Sequence, residues 1–346
     1  MADVTTVPEV LTRARDLVAP AMRRSVDLLN LELRGIAAYH LGWVDAKGQS
    51  TGSDGGKGVR PALAVLSAEA VGAKGEFGVP GAVAIELVHN YSLIHDDVMD
   101  VDRERRHRAT VWAVFGVAQA IIVGDALAAL AQQVVLDPRL LVGDERALEG
   151  HQAALLLADA TAKMIAGQSQ DMAFEDREHV SFDECLAMEA GKTGALLGCA
   201  AAIGAVLVDA PMKTVRALDR FGVELGLSFQ AVDDLLGIWG DPKTTGKPSW
   251  SDLRQHKKSL PVTAALSSDE SGVEELRVLL ATEQLSEAQI ERCAELVEHL
   301  GGRDATNDLA DSRLQLALAA LDEAEILDDV KRQFTEIAHF VVERQF

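Results

Sequence analysis

The chain has 346 residues, of which 48% are hydrophobic but only 4% aromatic, and a formal net charge of −21. Such acidity argues against a nucleic-acid partner, whose phosphates demand a basic surface, and any anionic substrate would need its cations gathered locally. The three cysteines, Cys185, Cys199 and Cys293, are too scattered for a disulfide framework or a zinc site. Each lies in an apolar helical context, which predicts a buried thiol and fits a reducing, cytoplasmic setting.

Ala, Leu and Val dominate the apolar content, and Ala and Leu are strong helix formers. Helical periodicity recurs nearly everywhere, with no sustained alternation of β-branched residues, so the chain reads as one all-α domain over 1–346. The opening "MADVTTVPEVLTRARDL" lacks the basic-then-apolar order of a secretory signal. Residues 9–46 read as one or two long helices, and "AKGQSTGSDGGKG", 46–58, as a Gly/Ser-rich loop. Helices follow from Pro61 to Val71, with the proline in the first turn, and from 80 to 101. Further helices are expected over 109–118, 120–136, 145–173, 181–206 and 211–239. "GDPKTTGKPSWSD", 240–252, is the one long polar loop of the second half, before helices at 259–267, 272–281, 286–299, 302–321 and 326–344. The most membrane-like stretch, 113–136, is interrupted by Gln119, Asp125 and Gln132-Gln133, so it reads as a core helix pair and no transmembrane segment is expected.

"HDDVMD", 95–100, places Asp96, Asp97 and Asp100 inside an apolar pattern. On a helix Asp96 and Asp100 lie within about 40° of each other, and His89 falls on the same face two turns deeper. The cluster sits near the helix C-terminus, where the macrodipole is already negative, and Val98, Met99 and Val101 cannot compensate it. A divalent ion such as Mg²⁺ can, taking oxygen ligands and keeping positions for substrate phosphates; a solvated acidic helix end is the plainer alternative. Downstream, "RERRHR" brings Arg103, Arg105, Arg106 and Arg108. Arginine forks match phosphate oxygens, so this juxtaposition looks like a diphosphate site. Ion pairing with Asp100, Asp102 and Glu104 accounts for one or two of the four arginines. A second acidic pair, Asp233-Asp234, appears in "FQAVDDLLG".

Taken together and in order, these segments resemble the trans-isoprenyl diphosphate synthases, the polyprenyl synthetase family of farnesyl and geranylgeranyl diphosphate synthases. "GGKGVRP" resembles that family's GGKRxRP, "HNYSLIHDDVMD" its first aspartate-rich motif and "RERRHRAT" the RRGxPT that follows. "GDAL", "GQSQD" and "GKTGAL" match its middle motifs, "FQAVDDLLG" the second aspartate-rich motif, and "SDLRQHKKSLP" its GxDLxEGKxTLP.

The resemblance implies an all-α bundle or barrel of the isoprenoid synthase type with a central active-site cavity. It implies a magnesium-dependent prenyltransferase that condenses isopentenyl diphosphate with an allylic diphosphate (dimethylallyl, geranyl or farnesyl), commonly as a homodimer. Lys57, Arg60, His89 and Arg106 would hold isopentenyl diphosphate. Arg105, Lys192, Lys247 and Lys257 would contact the allylic diphosphate, with Thr193 and Gln230 beside the reacting carbon. Of three Mg²⁺ ions, Asp96 and Asp100 would bind two and Asp233 the third, and Asp97 and Asp234 complete the catalytic acidic pairs. Tyr91 and Ser92, five and four positions before Asp96, would shape the pocket floor. One aromatic there, with no insertion in DDVMD, resembles the C20 geranylgeranyl type; a C15 farnesyl or a C25 product is the alternative.

The sequence departs from the pattern at Gly58, at His107 and Ala109 in place of Gly and Pro, at Ser251, and at Gly237, where the family usually has a third aspartate. Since Asp233 is the metal-bearing position, a Gly237→Asp variant is expected to keep activity. A class I terpene cyclase and a non-catalytic partner subunit are the competing functions. A cyclase uses one diphosphate and an Asn/Ser/Glu second motif, whereas this sequence offers DDLLG and a complete isopentenyl-side set.

Overall fold

The computed structural model describes residues 7–52, 58–137, 139–140, 147–241, 249–282 and 284–342. The N-terminal half comprises α1 (Glu9–Val26), α2 (Leu31–His40), α3 (Val59–Glu69), a 3-10 turn (Gly75–Gly78) and α4 (Val79–Met99). A two-stranded hairpin, β1 (Glu104–Arg105) and β2 (Arg108–Ala109), leads to α5 (Val111–Phe115), α6 (Val117–Leu136) and α7 (Ala147–Glu175). Then come α8 (Phe182–Glu189), a π turn (Ala190–Gly194), α9 (Ala195–Leu207) and α10 (Met212–Trp239). The C-terminal part contains α11 (Ser251–Arg254), α12 (Leu260–Leu266), α13 (Val273–Leu280), α14 (Glu287–His299), α15 (Gly302–Glu323) and α16 (Asp328–Val342).

Local signals account for several boundaries. Asn30 caps α2 by accepting from Leu33 N, and Ser181 opens α8 in a reciprocal capping box with Glu184. Pro80 sits in the first turn of α4, where its missing N–H costs nothing. Every residue of α9, "ALLGCAAAIGAVL", is buried, and its small side chains let neighbouring helices approach closely. Contacts close a ring α3–α4–α6–α7–α9, with α10 laid against α9 and α15. Phe221 and Phe334 meet edge to face at 5.3 Å, joining α10 to α16. A smaller apolar cluster around Ile238, Leu253, Val262 and Leu276 ties the C-terminal helices to the end of α10.

The differences from the expected elements are local. The first long stretch is two helices, ended at His40 before Gly42, whose φ is +81°. The helix expected over 109–118 contracts to five residues, because the hairpin takes up 104–109 and Gly116, at φ +86°, separates α5 from α6. The stretch 181–206 is helical but interrupted by the π turn, and α11 begins in the last two residues of the segment expected as loop and runs on to Arg254. All three cysteines are buried. Among the described residues two helical stretches, Val117–Leu136 and Phe182–Leu207, are long and apolar enough to cross a membrane on length and composition. The second is 78% buried in the fold, as a core helix is; the first is 44% buried.

Candidate active site

The acidic end of α4 divides into two parts. Asp96 is partly buried and Asp100, the C-cap, is exposed. Burial pushes the Asp96 carboxyl up to about 6; Lys192 opposes the shift, and Asp100 adds to it. Burial also raises Asp100, while Lys192 and Lys257 draw it back. Asp97 turns inward instead and is 1% exposed. Its Oδ1 accepts from Arg105 Nε at 2.6 Å, and its buried Oδ2 has no hydrogen-bond partner among the described residues.

The second acidic pair repeats this division on α10. Asp233 is partly exposed, whereas Asp234 is buried, accepting from Gln230 Nε2 at 3.0 Å and from Leu260 N at 2.9 Å. Turning its amide nitrogen to Asp234 leaves Gln230 Oε1 to accept from Thr193 Oγ1 at 3.1 Å. Thr193 and Lys192 lie on the π turn, a distortion that helices concentrate at functional sites. Gly167 on α7 lets that turn come close: a Cβ there would lie 2.9 Å from Lys192 Cα. One turn later, Asp171 accepts from Lys192 Nζ.

Two lysines tie these groups together. Lys192 acts electrostatically on Asp96, Asp100 and Glu189; Lys257, beyond α11, acts on Asp100, Asp234 and Glu189. Burial lowers the Lys257 ammonium, but Asp252, Asp234, Glu189 and Asp171 together push it above its ordinary range. Burial, with Asp234 adding to it, raises Glu189 to about 8, and its Oε2 has no partner among the described residues.

A second group of side chains is cationic. Burial holds the His89 imidazole well below its usual range, with Arg60, Arg106, His40 and Arg105 reinforcing this. Burial lowers His40 to about 3, with Arg105 and Arg106 contributing. Arg60 Nε is buried without a partner among the described residues. The buried Glu86 carboxyl, raised by desolvation and drawn down by Arg60 and Arg106, faces this group. Mutually repelling guanidinium groups packed around neutral imidazoles suit an anion. The hairpin supplies two of these arginines, because its two-residue loop is Arg106-His107, at φ 52° and 60°. Tyr39 Oη donates to Ala109 O at 2.6 Å, and Thr110 Oγ1 and Trp112 Nε1 donate to Asp102 O at 2.8 and 2.7 Å, which fixes the hairpin to the end of α4.

Below Asp96, Tyr91 is buried and meets His95 edge-on at 5.3 Å. His95 Nε2 lies 3.1 Å from Ile121 O and its ring covers Gly124, where a Cβ would overlap it. Ser92 Oγ donates to His89 O at 2.9 Å, so its hydroxyl is satisfied along its own helix.

The structure therefore brings Asp96, Asp100, Lys192, Thr193, Gln230, Asp234 and Lys257 into one interacting group, and Arg60, His89 and Arg106 into another. Lys57 and Lys247 lie outside the described residues. Among the described residues no three acid, histidine or cysteine side chains are pre-assembled to hold a metal ion. The carboxylate oxygens of Asp96 and Asp100, about one helical turn apart at the end of α4, are donors of the kind Mg²⁺ takes. Sequence reasoning missed His40, Glu86, Asp171, Glu189 and Asp252. Asp171 and Asp252 stand inside recognised motifs, and Glu189 lies three residues before Lys192; His40 carries no local signal.

Residues 42–297 match the family model described as polyprenyl synthetase. The chain is 42% identical to (2E,6E)-farnesyl diphosphate synthase of Mycobacterium tuberculosis over 342 residues, covering 97% of this chain and 93% of the relative. It is equally 42% identical to geranylgeranyl diphosphate synthase of the same organism over 316 residues, 91% of this chain and 89% of that one. Among solved structures, the polyprenyl synthetase of Streptomyces coelicolor A3(2) superposes with a TM-score of 0.91 at 51% identity, covering 97% of this chain and 100% of that one. The chain thus belongs to the polyprenyl synthetase family and is a short-chain prenyl diphosphate synthase.

Proposed function

We propose that this single-domain prenyltransferase joins isopentenyl diphosphate head to tail to an allylic diphosphate and stops at geranylgeranyl (C20) diphosphate. The observation that carries the reading is the pairing of two basins: an acidic, lysine-flanked space beside a separate arginine–histidine cluster. One suits a diphosphate that leaves, the other a diphosphate that is only held. A cyclase has no use for the second.

Arg60, His89 and Arg106 hold isopentenyl diphosphate, with Lys57 joining them. Arg105, oriented by Asp97, and Lys192, Lys247 and Lys257 grip the allylic diphosphate. Asp96 and Asp100 would hold two magnesium ions and Asp233 a third, and when bound these ions neutralise charge on the departing pyrophosphate. The allylic C–O bond breaks with its electron pair going to pyrophosphate, leaving a carbocation. Thr193 Oγ1 and Gln230 Oε1 present electronegative atoms to that carbon, fixed by the Asp234 anchor. The double bond of isopentenyl diphosphate then attacks it, and the proton lost from the new chain passes to pyrophosphate. Apolar walls keep water from quenching the cation.

The C20 length is supported by Tyr91 on the α4–α6 side of the pocket and by Ser92, which leaves room in line with Asp96. Exposed apolar side chains on α6 and α7, including Ile121, Ile122, Leu155 and Ile165, support a homodimer, which sedimentation would register as twice the chain mass. Three buried thiols without a disulfide suit the cytoplasm. Purified protein given Mg²⁺, labelled isopentenyl diphosphate and each allylic primer should yield C20 diphosphate. No incorporation with any primer would refute the reading, and a hydrocarbon from one diphosphate alone would support a cyclase.

A further inference from the structure

Of the arginines on and beside the hairpin, Arg105 and Arg106 act on His89, whereas Arg103 and Arg108 lie over aromatic rings. Arg103 is 5.2 Å from the ring centre of Trp112, and Arg108 is 4.6 Å from that of Tyr39. Each strand of the hairpin has two residues, too few to hold the pairing unaided. The register also sets Arg105 directly opposite Arg108, and like charges so placed push the strands apart. Each guanidinium therefore needs its own anchor. Arg105 takes Asp97, while Arg108 covers Tyr39 and donates from Nη2 to Val44 O at 2.8 Å. Tyr39, at the end of α2, is 6% exposed and holds the hairpin a second time through its hydroxyl on Ala109 O. Its ring meets Phe115 edge-on at 5.2 Å, which ties it to α5. The turn that carries Val44 is itself braced. Asp45 Oδ1 accepts from Lys47 N at 2.8 Å and Gln49 N at 2.9 Å, and Val44 pairs with Ser50. Arg106 stands in the loop between the two anchored strands, so its place follows the hairpin backbone.

We propose that Tyr39 and Arg108 are positioning residues. Together they latch the second strand of the hairpin to α2 and the turn after it, and so hold Arg106 where isopentenyl diphosphate is gripped. Arg108 then serves the protein and not a substrate phosphate. Under the proposed assignment of Arg106 to isopentenyl diphosphate, on which this inference rests, loss of the latch falls on that substrate, because Arg105 keeps its separate tie to Asp97.

Steady-state kinetics and hydrogen exchange of the metal-free protein test the latch. Arg108→Gln and Tyr39→Leu should each raise KM for isopentenyl diphosphate about tenfold, with the allylic KM and kcat within about threefold of the wild type. Tyr39→Phe keeps the ring and loses only the hydroxyl, so the rise should be about threefold. Arg108→Lys keeps a charge over the ring and should return most of the Arg108→Gln loss. The double variant of Tyr39→Leu with Arg108→Gln should be within about threefold of either single change, because both break one latch. An unchanged KM for isopentenyl diphosphate, equal rises in both KM values, or rises that multiply in the double variant overturn the proposal; the last would mean that Arg108 touches substrate itself. Amide exchange over residues 103–110 should quicken about tenfold in each of the Arg108→Gln and Tyr39→Leu proteins, with the core of α4 unchanged. Absence of turnover in the wild type would instead defeat the proposed function. Exchange would then still decide on the latch: quickening confined to the hairpin supports it, and unchanged or uniformly faster exchange overturns it.

Discussion

Asp96 and Asp97 are neighbours in sequence and do different work in the fold. Asp96 stays partly exposed, while Asp97 is buried against Arg105, and Asp233 and Asp234 repeat the division. Asp96→Ala or Asp233→Ala should lower kcat by on the order of 10²–10³-fold, as losses of transition-state charge stabilisation do. Asp97→Asn should act mainly through Arg105, raising the allylic KM about tenfold with a smaller change in kcat. Equal kcat losses in all three would contradict this division. Glu189 offers a test by pH. Its folded value, about 8, lies above its ordinary 4.5, so its contribution to stability is full below the lower value and lost as pH rises through the upper one. His40 and His89 are depressed and run the opposite way, but both are neutral in either state above about pH 7.5. Metal-free protein should therefore lose on the order of 1 kcal/mol between pH 7 and 8, below the range where the three buried thiols, also raised by burial, add their own loss, and Glu189→Gln should flatten that slope. An equally steep Glu189→Gln curve would remove Glu189 as the cause.

At the scale of elements, the hairpin places cations at the cost of backbone strain. His107 stands in left-handed conformation where the family has glycine, so His107→Gly should stabilise the protein by about 1 kcal/mol in denaturant titrations; no gain would show that the turn relaxes around the histidine. Tyr91 leans on His95 and His95 on the Ile121–Gly124 turn, so α4 and α6 brace each other beside the proposed pocket floor. Tyr91→Ala should lengthen the product, and an unchanged chain length would remove Tyr91 as the floor. Helical periodicity made most elements legible, and the spacing of Asp96 and Asp100 gave their shared face. The π turn at Lys192 and the hairpin at 104–109 were not legible. The first reads as continuous helix because apolar helical periodicity runs on either side of it, and the second lacks the Asn-Gly signal of a tight hairpin. The inward turn of Asp97 was missed for another reason: helical spacing gives the face of a side chain, not which partner it finds.

For the whole molecule, an acidity of −21 is reconciled with two diphosphate substrates by local segregation of charge. Arg60 of α3 and Arg105 and Arg106 of the hairpin surround His89, while Lys192 of the π turn and Lys257 beyond α11 between them act on Asp96, Asp100 and Asp234. Those long-range placements depend on how helices pack, which motif order implies only through family resemblance. The central claim is that both aspartate pairs serve one pyrophosphate. Crystals soaked with Mn²⁺ and a non-hydrolysable allylic diphosphate, read by anomalous scattering, test it most directly. The account predicts metal peaks beside Asp96, Asp100 and Asp233 that all bridge to a single diphosphate group, with Lys192 and Lys257 on its flanks. Metal at one acidic pair alone, or at two separate diphosphates, would contradict it.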